Sequence, residues 1–296
     1  MGLREKWVDP RSPDRRPRRA AYVLPTLFTA GNIFLGFVAI LRCIRGATLN
    51  VAGQPGVSEN FALAAKFIGV AVLLDGLDGY IARATNTASD FGREMDSLAD
   101  VISFGLAPAI LAFTWGVQFV DVWPPERFHN FIRDTGAFVS FLFLLCGAVR
   151  LARFNVQKNP VPKNPGRPDR KYFVGMPIPA GAAMVAATVY AFGGEPLSWW
   201  PLTAAWLGLL ALLGFLMVST WRYYSFKGLK LHKARSPLIL ILLGAFIYGT
   251  WNYGQALLLV MSAAYVASGI AIRIGGIVRR RLHRVRPPRS PERQIG

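Results

Sequence analysis

Four aspartates lie between two strongly apolar stretches of this sequence, residues 67–74 and 101–115. The four are Asp75, Asp78, Asp96 and Asp100. A charged carboxylate placed in hydrocarbon costs about 2.5–3.5 kcal/mol on insertion scales. Four charges of one sign therefore need a compensating partner, and divalent metal ions would supply it. A metal site of this kind implies chemistry on a charged substrate.

The spacing of the aspartates supports a shared site. Asp75 and Asp78 are three residues apart, and Asp96 and Asp100 are four apart, so each pair lies on one face of a helix. The polar segment 84–91 between the pairs is short and predicts two neighbouring antiparallel helices whose aspartate faces converge. Ligands that are all oxygen favour Mg²⁺ or Mn²⁺ over zinc or copper.

Glycines and an arginine accompany the first aspartate pair. Gly76 and Gly79 each cost about 0.8–1 kcal/mol inside a helix, which is reasonable where a ligand approaches the backbone. Arg83 follows and could bind a phosphate. The alternative is a salt-bridge network of the aspartates with Arg83 and Arg93. We favour the metal site, because intramembrane carboxylates without a function are rare.

The composition predicts a membrane protein. The chain has 296 residues, of which 53% are hydrophobic and 17% charged, with a mean hydropathy of +0.34. A soluble domain is more polar than this. Apolar runs of membrane-spanning length recur, and we predict an all-α polytopic protein without a cleavable signal peptide. The predicted spans are 25–44, 61–83, 95–117, 132–155, 177–193, 199–220, 235–252 and 254–276.

The net charge of +18 is explained by topology. Most of the lysines and arginines fall in five segments, which eight spans place on one side of the membrane. These segments are 1–20, 83–93, 155–172, 221–235 and 273–296. The positive-inside rule makes that side cytoplasmic, together with the N-terminus and the aspartates. We therefore predict a bacterial-type inner membrane protein that contacts anionic lipids and does not bind nucleic acid.

The segment from Asp75 to Asp100 resembles the signature of the CDP-alcohol phosphatidyltransferase family. That signature is D-x-x-D-G-x-x-A-R, about eight further residues, and G-x-x-x-D-x-x-x-D. Its fixed positions are met by Asp75, Asp78, Gly79, Ala82, Arg83, Gly92, Asp96 and Asp100. Other segments resemble the phosphatidylserine synthase branch of the family. They are Leu24 and Pro25 with Thr29 and Asn32, then residues 97–109, 150–155 and 173–180.

The resemblance covers residues 20–230 and implies a division of the chain. Residues 1–20 would be a basic disordered tail, 21–230 the membrane domain with a six-helix core, 231–277 further transmembrane helices, and 278–296 a second basic tail. It also implies a homodimer, two divalent metal ions, and CDP-diacylglycerol as donor. L-serine would be the acceptor in the phosphatidylserine synthase branch.

The resemblance also implies roles for individual residues. Asp75, Asp78 and Asp96 would hold the metals, and Asp100 would complete the site and act as the general base. The nucleotide pocket would be formed by Gly79, Ala82, Arg83 and Gly92.

The acceptor site is predicted from span four. Arg150 and Arg153 lie near its cytoplasmic end and could bind the serine carboxylate or a substrate phosphate, with Asn155 beside them. Positive-inside anchoring explains the same arginines equally well.

Other functions remain open at this stage. A sister enzyme that uses glycerol phosphate, inositol phosphate or choline would share the aspartate motif. An ion-coupled transporter would also carry intramembrane aspartates, but usually at the midplane and in paired halves. A non-catalytic anchor leaves the aspartates unexplained. His129, His232 and His283 are scattered and suggest no covalent nucleophile, so a transferase would act by single displacement.

Overall fold

The computed structural model describes residues 15–84, 90–121, 126–158, 172–224 and 254–275. Its helices in chain order are α1 (Arg15–Val51), α2 (Val57–Ala84), α3 (Asp90–Asp100), a π-helix (Val101–Leu106), α4 (Ala107–Gly116), α5 (Glu126–Lys158), α6 (Ile178–Ala191), α7 (Trp200–Val218) and α8 (Gly254–Gly275). Two short strands, β1 (Tyr172–Val174) and β2 (Arg222–Tyr224), complete the described part.

Within these described ranges, six helical segments are long and apolar enough to cross a membrane. They are Leu27–Val51, Val57–Leu77, Phe91–Gly116, Phe128–Val156, Trp200–Val218 and Gly254–Gly275. The chain is therefore a multi-pass membrane protein, and the predicted all-α architecture is confirmed. Helix α6 is shorter, with 14 residues. The predicted span 235–252 lies outside the described residues, and α1 begins at Arg15, inside the segment predicted to be a disordered tail.

The interior of the bundle is packed by aromatic and small residues. Trp115 is fully buried and meets Trp206 edge to face, with ring centroids 5.2 Å apart. The indole N–H of Trp206 donates a hydrogen bond to the carbonyl of Ala112 at 3.0 Å, so this buried polar group is satisfied. Phe34 and Phe37 of α1 are instead 63% and 53% exposed, as expected for side chains that face lipid.

Helix α1 packs closely along α3, the π-helix and α4. A Cβ atom at Gly36 would lie 2.9 Å from the Cα atom of Ser103, so only glycine permits this approach. Further along, the Cys43 thiol is within hydrogen-bonding reach of the Thr114 hydroxyl. Because both contact positions advance together in the sequence, α1 runs parallel to the segment from α3 to α4.

The π-helix follows Asp100 directly and was not predicted. The Ala107 N–H donates to the carbonyl of Ile102, five residues earlier. The cause is Pro108, which lies inside a helical segment that continues from Asp90 to Gly116. Proline has no N–H, and its ring clashes with the carbonyl four residues earlier, so the preceding turn widens. A single π-helical turn of this kind often accompanies a functional site.

Strands β1 and β2, with Gly175 and Arg153 beside them, form a small polar cap that connects the ends of α5 and α7. Strand β1 pairs antiparallel with β2, and Gly175 between β1 and α6 has a φ of +80°. Its N–H donates to the carbonyl of Trp221 at 2.8 Å, and a Cβ atom would overlap the Met217 carbonyl. Glycine is therefore required there.

Arg153 completes this cap. Its guanidinium donates to the carbonyl of Val218 at 3.0 Å and to that of Ser219 at 3.4 Å. The last carbonyls of a helix have no partner within the helix, so Arg153 satisfies the C-terminal end of α7.

Helix α8 packs against the same region. Gly269 lies against the Tyr223 ring so closely that a Cβ atom would overlap it, and the Tyr223 and Tyr265 rings are 5.7 Å apart. Burial raises the pKa of the Tyr223 phenol to about 12, because the charged form is disfavoured away from water. The C-terminal helix is thereby attached to the end of the bundle that carries β2.

We predict that Arg153→Ala destabilises the protein by about 1–3 kcal/mol, because carbonyls at the end of α7 lose their donor. The measurement is the temperature at which detergent-solubilised protein stops eluting as a monodisperse species. Arg133→Ala is the control, since Arg133 is an exposed arginine of the same helix. An equal effect of the two substitutions would contradict a capping role for Arg153.

Candidate active site

The structure brings together three of the four aspartates that the sequence predicts to bind metal. One carboxylate oxygen each from Asp75 of α2 and from Asp96 and Asp100 of α3 lie within 4.8 Å of one another. The i,i+4 spacing puts Asp96 and Asp100 on the face of α3 that meets Asp75. The side chains of Asp78, Ala82 and Arg83 lie outside the described part of the structure.

The donor set of this cluster suits a hard divalent cation. Asp100 is only 9% exposed, and Asp75 and Asp96 are half-buried. Three carboxylates this close repel one another strongly where water is largely excluded, and a cation between them converts repulsion into attraction. Oxygen is the only ligand type they offer, which fits Mg²⁺ or Mn²⁺.

Glycine beside the cluster is not explained by packing. A Cβ atom at Gly76 would meet no atom within 4 Å, so the described fold does not require glycine at that position. Gly79 of α2 and Gly92 of α3 are half-buried on the two helices that supply the aspartates. The space beside Gly76 is therefore open among the described residues.

Asn155 fixes α5 against the aspartate-bearing helix. Its side-chain N–H donates to the Ser97 hydroxyl at 2.7 Å, and that hydroxyl donates to the carbonyl of Arg93 at 2.9 Å. Ser97 follows Asp96 directly in the sequence. Asn155 therefore has a positioning role, and direct contact with an acceptor remains a prediction.

Arg150 and Arg153 have different surroundings. Arg150 is 7% exposed, interacts electrostatically with Asp100, and lies 5.2 Å from the centroid of the Phe154 ring. Arg153 directs two N–H groups at the end of α7. Of the two arginines, Arg150 is the one that interacts electrostatically with Asp100, and substrate binding by either remains a prediction.

A cavity of about 500 Å³ lies at the opposite end of the helices, where Asp121, His129 and Glu195 contribute to its lining. These residues follow α4, open α5 and follow α6. Among the described residues they do not bring three ligand atoms within reach of one ion, whereas the aspartate cluster does. We therefore place the candidate active site at the aspartates.

No functional role was predicted from the sequence for Asn32, a buried polar residue of α1. Asn32 of α1 is fully buried, and its carbonyl accepts a hydrogen bond from the Ser103 hydroxyl at 2.9 Å. A signal for it exists in the sequence, because Asn32 interrupts the apolar run from 27 to 41 with an amide. A polar group in such a run needs a partner.

Comparison with known proteins adds independent information. The model of the CDP-alcohol phosphatidyltransferase family matches residues 22–221. The chain is 37% identical over 227 residues to a protein of Helicobacter pylori strain J99, which covers 77% of this chain and 82% of the relative. That relative is named CDP-diacylglycerol–serine O-phosphatidyltransferase.

Two other organisms provide further relatives. A Saccharomyces cerevisiae protein with the same name is 40% identical over 159 residues, covering 54% of this chain and 50% of the relative. The archaetidylserine synthase of Methanothermobacter thermautotrophicus is 37% identical over 166 residues, covering 55% and 56%. The matched family segment contains α2 and α3 with all four aspartates, and on this evidence the chain belongs to the CDP-alcohol phosphatidyltransferase family.

Proposed function

We propose that this protein transfers the phosphatidyl group of CDP-diacylglycerol to the hydroxyl of L-serine and releases CMP. The observation that carries this proposal is the convergence of Asp75, Asp96 and Asp100 within the family-matched segment, with Arg150 beside Asp100. The names of the relatives support serine as the acceptor. The archaetidylserine synthase supports it as well, because its name includes the same headgroup.

The aspartates fit two divalent metal ions, Mg²⁺ or Mn²⁺. Asp75, Asp78 and Asp96 would hold them, with Asp100 completing the set. When bound, such ions neutralise the charge that builds on the departing CMP and on the transferred phosphoryl group. The small residues Gly79, Ala82 and Gly92 would admit the cytidine, and Arg83 would bind the diphosphate.

Asp100 is suited to accept the proton of the attacking hydroxyl. Its near-complete burial excludes water, and the charge of Arg150 nearby favours a carboxylate that is ready to accept a proton. As the serine oxygen bonds to phosphorus, its proton passes to Asp100 and the phosphorus–oxygen bond to CMP breaks. A single displacement of this kind needs no covalent enzyme intermediate.

The acceptor would be held by Arg150. Serine brings a carboxylate that must be paired once it is removed from water, and Arg150 supplies a cation at the required place. Arg153 and Asn155 would contribute by fixing the ends of α7 and α3 around the pocket.

The distribution of lysines and arginines supports a particular orientation of the protein in its membrane. We propose that the N-terminus and the active site face the cytoplasm of a bacterial-type inner membrane, because the basic segments then lie on that side. Tails 1–20 and 278–296 would contact anionic headgroups, residues 21–230 would form the catalytic domain, and 231–277 would add transmembrane helices. Two copies would form a homodimer.

The function is tested with purified protein in detergent micelles. CDP-diacylglycerol, Mg²⁺ or Mn²⁺, and a panel of labelled alcohols are supplied, and CMP release is measured. Serine should be the preferred alcohol. Activity with glycerol phosphate, inositol phosphate or choline and none with serine would place the protein in a sister branch. Metal-dependent ion uptake by vesicles without CMP release would favour a transporter.

Asp96→Asn is predicted to lower kcat at least a hundredfold, because a lost carboxylate ligand removes several kcal/mol of transition-state stabilisation. Glu94→Gln is the control, since Glu94 is an exposed acid on the same helix. CMP release at saturating metal is the measurement. Near-normal turnover of the Asp96 variant would show that the cluster is not the metal site.

The single displacement predicts that no isotope exchange occurs without an acceptor. Enzyme incubated with CDP-diacylglycerol and labelled CMP should leave the donor unlabelled, because no activated nucleophile is available to hold the phosphatidyl group. Donor is recovered by extraction and counted. Rapid labelling in the absence of serine would instead demonstrate a covalent intermediate.

Arg150→Ala is expected to raise the KM for serine about ten- to a hundredfold, because a carboxylate left unpaired in the site loses about 1–3 kcal/mol. The KM for CDP-diacylglycerol should change far less. Arg153→Ala serves as the comparison and should mainly lower stability. If Arg150→Ala weakens the donor and leaves serine unaffected, Arg150 binds phosphate.

A further inference from the structure

Asn32 has a buried side chain whose polar atoms are unused. The residue is 0% exposed, and neither the oxygen nor the nitrogen of its amide has a hydrogen-bond partner among the described residues. Its backbone carbonyl accepts a hydrogen bond from the Ser103 hydroxyl. Buried amides are nearly always satisfied, and leaving one unsatisfied is strongly unfavourable. Such a group inside a membrane helix needs a partner other than the side chains that the structure describes.

The packing of α1 places Asn32 at the level of the proposed base. Gly36 touches Ser103, and Cys43 further along α1 lies beside Thr114, so the two helical segments run parallel. One turn earlier on α1 is Asn32, and three residues before Ser103 is Asp100. Asn32 is therefore level with the turn that carries Asp100.

We propose that Asn32 is an acceptor-binding residue that holds the alcohol beside Asp100. This role rests on the proposed transferase function and extends it. The donor diphosphate would be bound by the metal ions that the aspartates hold and by Arg83. The acceptor must instead place its hydroxyl at Asp100, deeper in the bundle, where Asn32 lies.

The chemistry of an amide suits the remaining part of serine. Arg150 is assigned to the serine carboxylate, which leaves the ammonium group in need of an uncharged or negative oxygen. The side-chain oxygen of Asn32 accepts from an ammonium group, and its N–H groups can donate to an acceptor oxygen. A neutral amide provides both without adding a further negative charge to the aspartates.

Thr203 provides a matched control within the same molecule. It is also 0% exposed with a hydroxyl that has no partner among the described residues. It lies in the first turn of α7, next to Trp200, whose ring contacts Phe128 at the beginning of α5. That is the end of the bundle away from Asp100, so Thr203→Val changes a buried polar group without touching the site.

The test compares Asn32→Leu and Asn32→Ala with Thr203→Val in full-length purified protein. Leucine keeps the branched shape of asparagine without its polar atoms but is bulkier, and alanine removes the amide without adding bulk. Both Asn32 variants should raise the KM for the acceptor about ten- to a hundredfold, as for a lost hydrogen bond to a charged group, while the KM for CDP-diacylglycerol stays within about twofold. Thr203→Val should leave both values unchanged.

The outcomes separate this proposal from the function it rests on. The acceptor KM is measured for whichever alcohol the wild-type protein uses, so a preference for an alcohol other than serine contradicts only the serine assignment. Wild-type protein that releases no CMP with any alcohol contradicts the proposed function and this role with it. The acceptor role of Asn32 is overturned by an unchanged acceptor KM or by a rise confined to the donor KM. It is equally overturned if neither Asn32 variant elutes as folded protein while Thr203→Val does, because Asn32 would then be structural.

Discussion

Repulsion among carboxylates in a poorly hydrated bundle is the constraint on which the rest of this structure depends. Asp75, Asp96 and Asp100 come within 4.8 Å of one another on two different helices. Helices α2 and α3 do not bring such charges together for stability alone. Apolar packing elsewhere, such as Trp115 against Trp206, must therefore compensate for a site that is unfavourable without its cation and substrate.

The close contacts around the site all hold the surrounding helices in position against the aspartates. Gly36 allows α1 to touch the turn after Asp100, and Asn155 holds α5 to α3 through Ser97. Arg153 closes the end of α7 against α5. Each of these contacts lies within a few residues of an aspartate of the site or of Arg150. The position of the aspartates is thus fixed by contacts between helices.

Much of this arrangement follows from the sequence, for reasons that are local. The i,i+3 and i,i+4 aspartate pairs share faces in any helix, and apolar runs give the spans their approximate bounds. The π-helix was missed because its cause, Pro108, is indistinguishable in sequence from a helix start. The sequence does not distinguish the roles of Arg150 and Arg153 in α5, because positive-inside anchoring, helix capping and substrate binding all favour arginine at the same depth. Only the contacts of Arg153 with Val218 and Ser219 reveal its capping role.

The C-terminal helix α8 lies outside the family-matched segment but contributes to the surroundings of Arg150. Helix α8 begins at Gly254, beyond residue 221, where the family match ends. Yet its Tyr265 lies within the electrostatic surroundings of Arg150, and Gly269 receives the Tyr223 ring. The residues around Arg150 therefore include one from outside the segment that the family model matches. Sequence divergence in α8 could retune acceptor handling while every signature position stays intact.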